Sequence, residues 1–149
     1  MQQLNLPIYS FNFKTVGEGV QIFDSLRKKF VALTPEEWVR QHFVQYLIHE
    51  KKTPASLIAI EMSIRVNRLQ RRSDIVVHDR NGKPLLMVEC KASSVTINQD
   101  TFDQIARYNM AVNVKYLVVT NGMSHYYCLM NHEEKRYDFL ESLPEYKNL

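Results

Sequence analysis

Residues 73–91 read SDIVVHDRNGKPLLMVECK, two apolar runs joined by a polar turn. The first run is short and β-branched, and the second follows an Asn-Gly pair and a proline. This pattern predicts a β-hairpin with a longer loop. A hairpin places the start of its first strand beside the end of its second, so we expect Asp74 beside Glu89 and Lys91. Because strand side chains alternate between faces, Glu89 and Lys91 share one face and Cys90 takes the other.

Such a pair of acids needs a counter-charge. Two carboxylates about 4 Å apart repel by roughly 4 kcal/mol at an effective dielectric constant near 20. Lys91 offsets part of this repulsion, and a divalent cation would offset more, since hard oxygen ligands suit Mg²⁺ or Mn²⁺. The alternative is an ordinary surface hairpin with a salt bridge, because exposed ion pairs contribute little and are common. The spacing alone leaves both interpretations open.

The composition indicates one globular domain. The chain has 149 residues, 45% of them hydrophobic and 23% charged, with a net charge of +3. A mildly basic protein can contact nucleic acid but need not do so. The basic residues are clustered, however, in two groups: Arg65, Arg68, Arg71 and Arg72, then Arg27, Lys28 and Lys29. We expect Arg68, Arg71 and Arg72 to contact phosphates because the first group adjoins the acids. A solvated turn is the alternative for both groups, and it is the favoured interpretation of the second.

The two cysteines and the apolar segments indicate the cellular compartment of the protein. Cys90 and Cys128 lie in apolar segments without metal-ligand spacing, so we expect two reduced core thiols and no zinc site. The N-terminus lacks the features of a signal peptide, and no apolar segment is long enough to span a membrane. These features predict a cytoplasmic protein.

The order of elements predicts an α/β fold. Thr34, Pro35 and Glu37 are typical of a helix start with a capping box. The predicted elements are strands 8–13, 20–24 and 29–33, helix 34–50, strand 57–66, the hairpin, helix 98–112, and strands 115–120, 126–130 and 136–140. A helix between two strands of one sheet implies a crossover and a parallel pair. We therefore expect a mixed sheet flanked by helices, an N-terminal β-meander, an exposed Glu61 and a loose C-terminal tail.

At this point the residues resemble a known family. Asp74 followed by Glu89-Cys90-Lys91 resembles the PD-(D/E)xK nuclease signature, and Gln104 with Tyr108 resembles the QxxxY element of its RecB-like branch. The stretches TPEEWVRQ (34–41) and TNG (120–122) are similar to the N-terminal nuclease domain of type I restriction enzyme R subunits. Ser73 replaces the proline of the motif name, as in many relatives. The resemblance covers roughly residues 34–125 and implies a restriction-endonuclease-like core in one domain, 1–149, with 1–33 as a β-rich extension.

The resemblance also implies a metal site. Asp74 and Glu89 would hold Mg²⁺, for which Mn²⁺ could substitute, and the carbonyl of Cys90 would be a further ligand. Lys91 would orient or deprotonate the attacking water, or stabilise the charged transition state. We favour the last role, because a lysine gives up its proton near neutral pH only in surroundings that disfavour its charge.

Three further site residues follow from the same resemblance. A helix acid completes the site in many members, and Glu37 is the better match, with Glu36 in reserve. Gln104 and Tyr108 would support the site or the DNA backbone.

The implied function is that of a Mg²⁺-dependent DNA endonuclease domain. Its partners would be DNA and separate motor or modification subunits, with no membrane and with a homo-oligomer left open. The alternatives are a non-catalytic module of the same fold that binds nucleic acid or protein, and a plain structural domain. The chain has no GxxxxGK[ST] phosphate-binding loop, so no ATPase motor is predicted within it.

Overall fold

The computed structural model describes the backbone of residues 1–66 and 69–149, and the side chains outside residues 64–71. The elements follow in the order β1 (Phe13–Val16), β2 (Gly19–Asp24), β3 (Lys29–Ala32), α1 (Pro35–His49), β4 (Ile58–Val66), β5 (Leu69–His78), β6 (Pro84–Cys90), α2 (Gln99–Asn109), β7 (Tyr116–Thr120), β8 (His125–Asn131) and β9 (Arg136–Leu140). Within the described residues, no helix has the length and apolar character to cross a membrane.

The strands form two sheets. Strands β1 to β3 make an antiparallel meander, and β4 to β9 make a six-stranded sheet in chain order. Only the β6–β7 pair is parallel among the described strand pairs, because α2 carries the chain back across the sheet between them. The predicted mixed α/β fold with an N-terminal β-meander is confirmed.

The first strand lies elsewhere than predicted. Residues 8–12 are not a strand, and β1 begins at Phe13 because the turn at Gly17, with φ of 60°, pairs it with β2. The alternating aromatics instead pack on α1, with the ring centroids of Tyr9 and Phe11 lying 6.1 and 4.9 Å from that of His42. Period-two alternation here reflects contact with a helix rather than with a sheet.

Helix α1 starts as predicted, but its capping box is incomplete. The Oγ1 of Thr34 accepts a hydrogen bond from the backbone N–H of Glu37 at 3.0 Å. The backbone N–H of Thr34 donates to the carbonyl of Ala32 at 3.2 Å. The Glu37 carboxylate is therefore engaged elsewhere, in the site described below.

The core lies on both faces of the six-stranded sheet. On one face α1 packs on alternate residues of the central strands; these buried residues include Val39, Phe43, Leu47, Ile75, Val77, Leu86, Val88, Cys90 and Val118. On the other face α2 packs on the intervening residues; these include Phe102, Ala106, Val76, Met87, Leu117 and Val119. Glu89, between Val88 and Cys90, therefore projects from the face that carries α2.

The C-terminal tail is ordered against the sheet, so the prediction of a loose tail is wrong. The backbone N–H of Tyr146 donates to the carbonyl of Lys51 at 2.7 Å, and its hydroxyl donates to the carbonyl of His78 at 3.0 Å. Leu143 is 2% exposed. After Pro144, Tyr146 and Leu149 are partly buried against the core, and these contacts outweigh the polar composition of the last residues.

Candidate active site

The hairpin register brings the predicted acids together. Strands β5 and β6 pair antiparallel with Ile75 opposite Val88, and the same register sets Asp74 opposite Glu89. Asp74 lies inside the ten-residue strand β5 rather than at its start. Lys91 follows β6 directly, and its backbone N–H donates to the carbonyl of Thr120 at 2.8 Å. We call Asp74, Glu89 and Lys91 the acid notch.

Asp74 is held on both oxygens. Its Oδ1 accepts a hydrogen bond from Nη2 of Arg40 at 3.1 Å, and its Oδ2 accepts one from the backbone N–H of Cys90 at 2.8 Å. Its side chain is 16% exposed. Each carboxylate oxygen can accept a second contact, so a cation can still bind this oriented group.

Glu89 lies in surroundings that disfavour its charge. Burial, followed by the negative charge of Asp74, raises the pKa of Glu89 to about 8, although the nearby Lys91 opposes this shift. When two carboxyl groups share one site without enough positive charge nearby, the pKa of one of them rises. The acid notch is therefore short of one or more cationic charges.

The donor set of the acid notch suits Mg²⁺. This ion is usually bound through one or two carboxylates and keeps several waters or substrate phosphate oxygens. The described residues contain no group of three or more His, Cys, Asp or Glu side chains arranged to hold a metal. The protein would thus supply the acids of Asp74 and Glu89, and a part for the Cys90 carbonyl stays a prediction. The Cys90 thiol is 2% exposed in the core on the α1 side, and burial raises its pKa.

Glu37 lies in a second group of charges. Its Oε1 accepts hydrogen bonds from Nη2 of Arg27 at 2.8 Å and Nη1 of Arg40 at 3.2 Å, and its Oε2 accepts one from Nε2 of Gln41 at 3.2 Å. The residue is 6% exposed. The structure thus places Glu37 across the Arg40 guanidinium from Asp74, with both of its oxygens engaged within the fold.

Asp24 completes this second group. Its Oδ1 accepts hydrogen bonds from the backbone N–H groups of Leu26 and Arg27, and its Oδ2 accepts from Nε of Arg27 at 2.6 Å and Nε2 of Gln41 at 3.0 Å. Burial alone would raise the pKa of Asp24, but these hydrogen bonds outweigh it and lower the pKa. We call Asp24, Arg27, Glu37, Arg40 and Gln41 the carboxylate clamp.

Glu36 lies on the side of the acid notch. Its side chain is 49% exposed, and its Oε1 is 3.6 Å from Nη2 of Arg40, the same nitrogen that binds Asp74. Its negative charge also contributes, as a minor cause, to the raised pKa of Glu89. Glu36, the second choice from the sequence, thus shares an Arg40 nitrogen with Asp74, whereas Glu37 contacts the other one.

Arg40 and Glu61 are site residues that the sequence analysis missed. Arg40 is 5% exposed; burial works against its charge, but Glu37 and Asp74 outweigh this effect and raise its pKa. Glu61 lies opposite Asp74 in the β4–β5 register, and its Oε1 accepts a hydrogen bond from Nη1 of Arg40 at 3.0 Å. Two features of the sequence could have identified them. Arg40 follows Glu36 by four residues and Glu37 by three, which places all three on one helix face. Glu61 lies on the predicted strand next to the one that carries Asp74.

Glu61 has an unusual backbone. Its φ of 53° is in the left-handed region, which costs a residue with a side chain of the order of 1–3 kcal/mol. Its side chain is 34% exposed, and its Oε2 contacts Nη2 of Arg72 at 2.8 Å and Nη1 of Arg27 at 3.4 Å. The predicted exposure of Glu61 is therefore only partial, and nothing in the sequence indicated that three arginines contact its carboxylate.

Helix α2 closes one side of the acid notch. A pocket of about 370 Å³ is lined by Arg72, Glu89, Lys91, Thr101, Gln104, Ile105, Tyr108 and Asn109. The structure thus brings Gln104 and Tyr108 to the same pocket as Glu89 and Lys91. Tyr108 is 50% exposed.

The predicted DNA-binding arginines are only partly described. The side chain of Arg72 is 69% exposed, pairs with Glu61 and lines the pocket. Arg68 lies outside the described residues, as does the side chain of Arg71.

Comparison with solved structures gives a match of the fold. The chain is similar to a fragment assigned to the HsdR subunit of a type I restriction enzyme from Vibrio vulnificus YJ016, with a TM-score of 0.51 and 18% sequence identity. The match covers 75% of this chain and 24% of that one, so the chain spans about a quarter of the length of this relative. No curated protein matches the sequence.

A family profile matches most of the chain. The family is described as type I restriction enzyme R protein N terminus, and the match covers residues 35–144. It therefore includes α1, the acid notch, α2 and the whole six-stranded sheet. The chain belongs to the family of type I restriction enzyme R protein N-terminal domains.

Proposed function

We propose that this chain is a metal-dependent DNA endonuclease domain that hydrolyses phosphodiester bonds. The observation that carries the proposal is the register of β5 and β6, which sets Asp74 opposite a half-buried Glu89 with a pKa of about 8, beside Lys91. Such a site accepts a divalent cation and opens on a pocket large enough for part of a substrate.

The chain's own residues would prepare the site. Asp74 and Glu89 would hold Mg²⁺, which polarises a phosphoryl oxygen and lowers the pKa of bound water. Arg40 and the Cys90 amide hold the Asp74 carboxylate in one orientation before substrate arrives. The Lys91 ammonium would stabilise the negative charge that develops on the phosphate.

We assign the role of helix acid to Glu36 rather than Glu37. The Glu36 side chain is half exposed and shares one Arg40 nitrogen with Asp74. Both oxygens of Glu37 already accept hydrogen bonds from Arg27, Arg40 and Gln41, and releasing them would remove one carboxylate partner from each arginine.

The partners would be DNA and the other subunits of a restriction-modification system. Family membership supports this, since the family is that of type I R proteins. Arg72, which lines the pocket with a largely exposed side chain, would contact a phosphate. Arg68 and Arg71 stay predicted DNA contacts from the sequence. A cytoplasmic setting, where DNA and such subunits meet, belongs to the same proposal.

Plasmid cleavage tests the proposal. The full chain is incubated with supercoiled plasmid in Mg²⁺, in Mn²⁺ and in EDTA. We expect cleavage only with metal, and a loss of more than about 100-fold in Asp74→Ala, because a metal ligand is removed. Asp138→Ala, which removes an acid with a 55% exposed side chain on β9, is the matched control and should retain activity.

Two results would contradict the endonuclease assignment. One is cleavage that persists in EDTA or in Asp74→Ala, which would point to a contaminant or another site. The other is salt-sensitive DNA binding without turnover in either metal, which would indicate the non-catalytic binding module.

A further inference from the structure

Asn109 ends α2 with one polar atom unpaired. The residue is 4% exposed and lines the pocket beside Glu89 and Lys91. Its Nδ2 donates to the carbonyl of Ile105 at 2.9 Å. Its Oδ1 is buried and accepts no hydrogen bond from any residue in the described part of the chain.

The unpaired atom of Asn109, Oδ1, is a hydrogen-bond acceptor rather than a donor. The Ile105 carbonyl can only accept, so exchanging the amide nitrogen and oxygen of Asn109 would set two oxygens against each other. Leaving a buried acceptor unpaired costs about 1–3 kcal/mol, and buried polar groups in native proteins nearly always have a partner. A ligand, or a water, that donates a hydrogen bond to Asn109 Oδ1 would therefore remove this cost.

The other pocket residues narrow the class of ligand. Arg72 and Lys91 supply positive charge, Tyr108 offers a half-exposed aromatic ring, and Ile105 offers apolar surface. A volume of about 370 Å³ is at the lower end of the range for small-molecule sites, roughly 300–1,000 Å³. An anionic, aromatic ligand about the size of one nucleotide meets all of these features.

Inside a DNA strand, the sugar oxygens are esterified or lie in the ring, so only the base carries hydrogen-bond donors. These are the amino groups of adenine, cytosine and guanine and the ring N–H groups of guanine and thymine. We propose that this pocket takes one unstacked base next to the phosphate that is cut, with Asn109 Oδ1 accepting a hydrogen bond from the base. Tyr108 stacks on the base, as aromatic residues do in single-strand binding sites. The inference rests on the proposed function, because it places DNA at the acid notch.

The test compares strands with and without bases. Binding of a short fluorescein-labelled DNA single strand, and of the same strand with its central bases removed, is measured by fluorescence anisotropy in EDTA. For Asn109→Leu we expect about tenfold weaker binding of the intact strand and little change for the abasic one. The melting temperature should change little, because Asn109→Leu removes the hydrogen bond from Nδ2 to the Ile105 carbonyl but also the cost of the unpaired buried Oδ1. Gln99→Leu, on the exposed side of α2, is the matched control and should change neither strand.

The other outcomes overturn the inference. Equal weakening of both strands by Asn109→Leu, or a lower melting temperature, would give Asn109 a structural role. Unchanged binding of both strands would make the pocket a water site only. A wild-type chain that binds both strands equally, or neither, would exclude a base site. Because the assay contains no metal, it is read separately from plasmid cleavage, on which the proposed function stands or falls.

Discussion

The acid notch and the carboxylate clamp lie on either side of the Arg40 guanidinium, yet their acids behave in opposite ways. In the clamp, Asp24 accepts hydrogen bonds from two backbone N–H groups and two side chains, and its pKa is lowered. In the notch, Glu89 faces another acid, and burial together with Asp74 raises its pKa to about 8. Each group contains one aspartate and one glutamate, but the number of hydrogen-bond donors that reach the carboxylates differs.

The comparison shows how one fold holds some acids in a full set of hydrogen bonds and leaves another without them. A carboxylate with a full set of donors fixes the elements around it, because separating it from its partners leaves buried charges. A carboxylate that is short of donors destabilises the protein and binds a cation more readily. Arg40 belongs to both groups, since one nitrogen binds Glu37 and the other binds Asp74.

The largest expected effect is a difference in stability between alanine variants of two neighbouring acids of α1. Glu37→Ala should lower the free energy of unfolding by about 3–5 kcal/mol, because it removes a carboxylate partner from the buried Arg40 and from the partly buried Arg27. Glu36→Ala should change it by less than about 0.5 kcal/mol, since its carboxylate is half exposed. Urea denaturation measures both values, and plasmid cleavage should be lost in Glu36→Ala although the protein remains folded.

Two findings would break this distinction. Equal stability losses in the two variants would show that Glu37 is not a supporting acid, and full cleavage by Glu36→Ala would remove it from the site. If Glu37→Ala fails to fold, Glu37→Gln keeps the shape and tests the same contacts, with a smaller loss of stability expected.

The clamp also predicts a pH dependence. Asp24→Asn should lower the free energy of unfolding at pH 7 by about 2 kcal/mol, since hydrogen bonds to a charged group are replaced. The folded-state pKa of Asp24 is lowered, so its contribution is present above the unfolded-state pKa and is lost as the pH falls through the folded-state value. The difference between wild type and variant in urea denaturation should therefore shrink below about pH 4. A difference that grows in acid would contradict the assignment.

The smallest effect has the opposite sign. Glu89→Gln should raise the free energy of unfolding in EDTA by about 1 kcal/mol, because a neutral side chain avoids both the cost of burial and the repulsion from Asp74. The same change should abolish plasmid cleavage. Thermal unfolding in EDTA measures the first effect, and a loss of stability like that of Asp24→Asn would show that Glu89 is a supporting acid as well.

Several parts of the molecule were predictable because their causes are local. The apolar runs around the Asn-Gly turn predicted the hairpin and the meeting of Asp74, Glu89 and Lys91, because the two strands are close in sequence. The start of α1 was predicted from Thr34 and Pro35, since capping depends on adjacent residues. The parallel pair followed from the order of elements alone.

Other parts depended on contacts between distant residues. The alternation of residues 8–12 predicted a strand, but their aromatic rings pack on α1. The choice between Glu36 and Glu37 is open in the sequence, because both are acids in the first turn, and only Arg27 from the meander shows which one is enclosed. Glu61 was placed by its strand periodicity, which its φ of 53° interrupts.

By itself, the sequence determined most of the elements, the mixed α/β architecture and the set of residues that resembles a nuclease signature, because these follow from local pattern and spacing. Only the tertiary structure decided which acids receive donors, that Arg40 binds Asp74, and that Asn109, which lines the pocket, has a buried Oδ1 without a hydrogen-bond partner in the described part of the chain. The supply of hydrogen-bond donors to a buried group depends on elements far apart in the chain, and no local pattern records it.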